Sequence, residues 1–80
     1  MEGERVITMK QRLSDIALMI DWSEVAEQYF HRTPHWIYQR MSGHIVNGKP
    51  AAFTDEQKEE LRQALLDMAR RLEDAAEKIE

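Results

Sequence analysis

The sequence predicts an all-α domain of four helices, on three observations. Ser23 to Met41 reads as two short helices joined by a tight turn. Thr54-Asp55-Glu56-Gln57 opens a long run in which Leu61, Leu65, Met68, Leu72, Ala75 and Ile79 alternate four and three apart. Ahead of both, Val6, Met9, Leu13, Ile16 and Ile20 recur at the same spacings. The 80 residues, 1–80, make one domain, too small to divide and large enough for a modest core.

The first helix is expected from about Glu4 to Ile20, its apolar stripe flanked by Ala17. Asp21 followed by Glu24 is a capping-box pattern that ends it and starts the second helix near Trp22. That helix closes near Phe30, where His31 falls at a position that often demands a left-handed residue, a conformation histidine tolerates better than branched residues do. Thr33-Pro34 restarts the chain, because a threonine hydroxyl caps orphan N–H groups and proline at the first helical position sacrifices no hydrogen bond. The third helix then spans Pro34 to Ser42 and stops at Gly43. The predicted helix-turn-helix therefore covers about 22–30 and 34–42.

Between His44 and Phe53, Asn47-Gly48 marks a turn and Pro50 blocks regular continuation; a hairpin there has flanks too short to favour. The last helix is expected from Asp55 to about Lys78. At that length it is roughly 36 Å long, more than a compact domain of this size with a radius of gyration of about 12 Å can cover. Leu61, Leu65 and Met68 close over the motif helices, and Leu72, Ala75 and Ile79 are left to meet a second chain, giving a homodimer.

Composition narrows the function. Without cysteine, a disulfide framework, a thiol nucleophile and a cysteine-based zinc site are excluded. No apolar signal core or membrane-length apolar stretch occurs, so a cytoplasmic protein without membrane contact is expected. The net charge is −4, but it is unevenly placed. Residues 1–20 and 21–54 each balance three acids with three bases, and 55–80 carries nine acids against five bases. Within the middle segment Asp21, Glu24 and Glu27 come first and Arg32, Arg40 and Lys49 follow, so the second half of the motif is locally basic; His31, His35 and His44 add to it at lower pH.

At Tyr29 to Pro50 the chain resembles a family of uncharacterised gut-bacterial proteins known as a domain of unknown function. Tyr29-Phe30, Trp36, Tyr38-Gln39-Arg40 and the run Val46-Asn47-Gly48-Lys49-Pro50-Ala51-Ala52-Phe53-Thr54 carry the likeness, which extends over roughly Ile16 to Leu72. The chain departs from that pattern at His31, where the family favours glycine, and at Ser42-Gly43-His44. The resemblance implies a fold and almost no biochemistry. More remotely, the order of elements is similar to the phage-repressor class of helix-turn-helix proteins, with about one residue too many before the turn.

Double-stranded DNA is the expected partner. In such a motif the residues just inside the second motif helix face the major groove, here Thr33, Pro34, His35, Tyr38 and Gln39, with Ser42 a turn further on. Gln39 suits bidentate bonding to adenine, while Arg32, Arg40 and Lys49 suit phosphates. The competing reading leaves His35, Tyr38 and Gln39 merely exposed and lays Arg40 across the core, with the acidic last helix as a protein-interaction surface. Trp36 and Tyr29 are expected in the core, since an aromatic platform for single strands needs several exposed rings among basic residues. No metal is expected: His31 and His35 are four apart, but Thr33-Pro34 breaks the helix between them, and His44 is a surface residue. Phosphate-cradling glycine loops and known catalytic motifs are lacking, so neither an enzyme nor a cofactor or small-molecule substrate is expected.

Overall fold

The computed structural model describes residues 7–79. Helix α1 spans Met9–Arg12, and α2 spans Trp22–Val25 and runs on into a π-helical turn, Ala26–Phe30. Helix α3 is Pro34–Ser42, strands β1 and β2 are Ile45–Val46 and Lys49–Pro50, and α4 is Asp55–Glu77. The fold is mostly helical with one small hairpin, so the all-α expectation holds only in outline.

The first helix is much shorter than its periodicity suggests. Of the expected span 4–20, residues 4–6 lie outside the described chain. The helix starts only at Met9, because Thr8 and Gln11 form a reciprocal capping box. It lasts one turn. Beyond Arg12 the backbone closes bonds three residues back, Ser14 N–H to Gln11, Ile16 to Leu13 and Met19 to Ile16, so the segment is a chain of turns. Ser14 and Asp15 carry short polar side chains that compete with helical hydrogen bonds, and the Trp22 indole takes the Ala17 carbonyl at 2.9 Å. The turns still bring Met9, Leu13, Ile16 and Ile20 onto the core. They leave Leu18 fully exposed.

Asp21 caps α2 as expected, its carboxylate accepting from the Ser23 and Glu24 N–H groups. The reciprocal half of the box is not formed, since the Glu24 carboxylate accepts from Gln28 Nε2 at 2.7 Å instead. The helix then widens: both His31 and Arg32 N–H groups donate to the Ala26 carbonyl. A widened turn holds one extra residue. His31 closes it in the left-handed region at φ 56°, ψ 43°. Glycine adopts that conformation without a Cβ penalty. His31→Gly is therefore expected to stabilise the domain by roughly 0.5–1 kcal/mol, read as a rise in thermal midpoint of several degrees.

Thr33 caps α3, accepting from the Trp36 N–H at 3.3 Å, and Pro34 takes the first helical position. Gly43 ends the helix at φ 70°. The hairpin that follows is a correction to the expectation. Asn47 and Gly48 both have positive φ, which suits a tight two-residue turn, and Ile45 pairs with Pro50 and Val46 with Lys49. Both strands are exposed.

Thr54 and Gln57 form the expected capping box at the start of α4. Phe53, Leu61 and Ala64 are buried from this half of the chain, joining Trp22, Val25, Ala26, Phe30, Trp36, Ile37 and Met41. Leu65 and Met68 pack against that core, and from Ala69 onward α4 is exposed. The helix therefore projects, and the molecule measures 53 × 29 × 21 Å with a radius of gyration of 14.6 Å.

Candidate nucleic-acid interface

Helix α3 has two faces. Trp36, Ile37 and Met41 point into the core, while His35, Tyr38 and Ser42 are exposed and Gln39 is half-buried between them. The inward face is fixed by an aromatic cluster in which Trp36 lies 5.1 Å from Phe30 and 5.9 Å from Phe53, centroid to centroid. Because turn and cap set the direction of α3, these contacts also set the rotation of its outer face.

The expected contact residues are not equally placed. Thr33 spends its hydroxyl on the cap. Ser42 Oγ donates back to the Tyr38 carbonyl at 2.8 Å, and Tyr38, 48% exposed, brings its hydroxyl within 3.5 Å of Ser23 Oγ. Tyr38 and Ser42 also border a groove of about 470 Å³ whose other wall includes Lys10, Leu18 and Trp22. His35 and Gln39 are left as the outward polar side chains of α3. The end of α3 is held by the Gln39 carbonyl, which accepts from the Gly43 and His44 N–H groups, so the amide side chain is not needed for the fold.

Three bases of the motif separate into two places. Arg32 and Arg40 both stack on Trp36, their guanidinium carbons 5.2 and 4.8 Å from its centroid. Arg40 is thus the arginine that lies across the core, and its Nε is buried. Lys49 is exposed on β2, beyond the opposite end of α3 from Arg32. The spacing Arg32, Trp36, Arg40, four and four, was a legible sequence signal for this stack.

A second cluster joins residues too distant in sequence to be foreseen. The half-buried Tyr29, on the widened turn, donates its hydroxyl to Asp67 Oδ2 at 2.5 Å and accepts from Arg71 Nη1 at 3.2 Å. The Tyr29 oxygen, as hydrogen-bond acceptor, is the main cause that raises the Arg71 pKa from its ordinary value, with the Asp67 carboxylate adding to it. This cluster pins the projecting helix to the motif. Tyr29→Phe is expected to cost about 0.5–1.5 kcal/mol, measured by urea denaturation, with little change to the α3 surface.

Of the expected interface residues, Leu72 is 59% and Ile79 80% exposed, and Ala75 between them is exposed too. Leu72 with Met68 forms one side of an open groove of about 470 Å³ against Met19 and Ile20. Among the described residues no three His, Asp or Glu side chains stand together as metal ligands. No described helix is long and apolar enough to cross a membrane.

Compared with known protein families, residues 9–79 match the model described as domain of unknown function (DUF5053). No curated protein and no solved structure matches the chain.

Proposed function

The chain belongs to the DUF5053 family, a domain of unknown function, and on the geometry above we propose that it is a small sequence-reading DNA-binding protein. Helix α3 enters the major groove with Gln39 and His35 against base edges. Arg32 and Lys49 flank it as phosphate contacts, one at each end of the helix. The observation that carries this reading is the presentation of α3: a three-residue turn with a left-handed His31 and a Thr33 cap holds its polar face outward while Trp36, Ile37 and Met41 anchor the other. The excess of acid lies between Asp55 and Glu80 and not on α3, which carries no acidic residue.

DNA reading by a motif this small is strengthened by a two-fold dimer, whose paired recognition helices enter successive major grooves about 34 Å apart. Leu72, Ala75 and Ile79 supply the matching apolar face on each copy. The reading is tested by fluorescence anisotropy of a labelled duplex across a salt series. Affinity falling steeply as salt rises supports phosphate contact; no binding at low salt overturns it.

One observation favours a second reading, a protein-interaction module acting through α4. The projecting helix leaves both an apolar stripe and the acidic residues Glu59, Glu60, Glu73 and Asp74 uncovered. Charge reversal along that acidic face abolishes function on the second reading and spares it on the first.

A further inference from the structure

We infer that Trp36, Arg32 and Arg40 form a phosphate-binding site along α3, beginning at the turn that precedes it. The inference rests on the DNA-binding reading for its ligand, a backbone phosphate, and on separate observations for the site itself. Both guanidinium groups are held on one indole. Trp36 Nε1 and Arg40 Nε are buried, and neither has a hydrogen-bond partner. Indole and guanidinium nitrogens can only donate, so nothing in this cluster can satisfy anything else in it. Among the described residues no carboxylate pairs with either arginine; the ion pairs there are Lys58 with Asp55 and Arg62 with Glu59.

Buried donors are nearly always satisfied in folded proteins, and an oxyanion is the partner whose charge and acceptors complement a cationic, all-donor cluster. Phosphate fits, because planar guanidinium groups bond it through two N–H groups at once, and the DNA-binding reading supplies it. Arg32 is exposed and provides the flexible side of the site, while Arg40 and Trp36 provide the fixed side. The stack makes Trp36 a positioning residue: it orients the guanidinium planes that meet the ligand. Trp22 provides an internal reference, since its indole N–H is already bound to the Ala17 carbonyl.

The test is a titration of the nitrogen-15-labelled full chain with inorganic pyrophosphate, followed at the two indole N–H signals and matched in ionic strength with chloride. The expected result is a saturable shift of the Trp36 signal, absent with chloride and absent from Trp22. Arg40→Lys keeps the charge and loses the planar stack, so it is expected to weaken the pyrophosphate response about tenfold. Duplex affinity should fall by a similar factor, with sequence preference unchanged. A Trp36 signal that stays still, or that moves equally with chloride, overturns the site even if duplex DNA binds normally. A saturable Trp36 shift in a protein that binds no duplex keeps the site and overturns the DNA reading. If Arg40→Lys does not fold, the wild-type titration alone decides.

Discussion

Ile37→Ala is expected to be strongly destabilising, lowering the unfolding midpoint far more than Ile37→Val does. Ile37 is fully buried on the inner face of α3, inside the cluster that includes Trp36, Met41, Phe30 and Leu61. Removing three buried carbons loses their transfer energy and leaves a cavity, together about 2–5 kcal/mol. A domain of this size has a total stability of roughly 4–12 kcal/mol. The core is small, and the projecting half of α4 adds nothing to it, so no other layer can absorb the loss. Ile37→Val deletes one methylene and should cost about 0.5–1.5 kcal/mol. Denaturant unfolding followed by tryptophan fluorescence checks the series, and equal midpoints for the three proteins would mean that α3 is not anchored as described.

Gln39→Ala is expected to cost about 1–3 kcal/mol of discrimination at one base pair, five- to more than a hundredfold in relative affinity, while leaving stability unchanged. The two effects separate because the helix end uses the Gln39 carbonyl and alanine retains it. The salt dependence should also be retained, since no phosphate contact is lost. Arg32→Ala is expected to do the reverse, weakening all sequences alike and reducing the salt slope by about one. Competition binding of both variants against duplexes changed one base pair at a time separates base reading from backbone grip.

Much of this architecture was legible because its signals are local. Thr33-Pro34, Gly43 and the Thr54–Gln57 box each fix a helix end through neighbours within three or four residues, and the structure places those ends where the sequence put them. The projection of α4 was legible for the same reason: the length of its apolar seam exceeds what the core can bury. The first helix is shorter than its periodicity predicts because a chain of turns delivers Met9, Leu13, Ile16 and Ile20 to the core as well as a helix does. Ser14 and Asp15 were the available warning. The hairpin was not favoured because two-residue strands exposed on both sides carry no alternation of polarity. Within the site, His35 and Gln39 face outward as the helical spacing implies, whereas Thr33, Tyr38 and Ser42 are drawn into local hydrogen bonds or contacts that spacing cannot foresee. Tyr29, Asp67 and Arg71 come together only through the tertiary fold, 38 and 42 residues apart.

DNA reading by α3 is measured most directly by selection of bound fragments from a pool of random duplex DNA, with the purified full chain, at low and physiological salt. A DNA-reading α3 should enrich one short sequence, retained by wild type at physiological salt and lost for Gln39→Ala, with paired copies about one helical turn apart if the protein acts as a dimer. Failure to retain any duplex even at low salt would contradict it and turn attention to the uncovered face of α4.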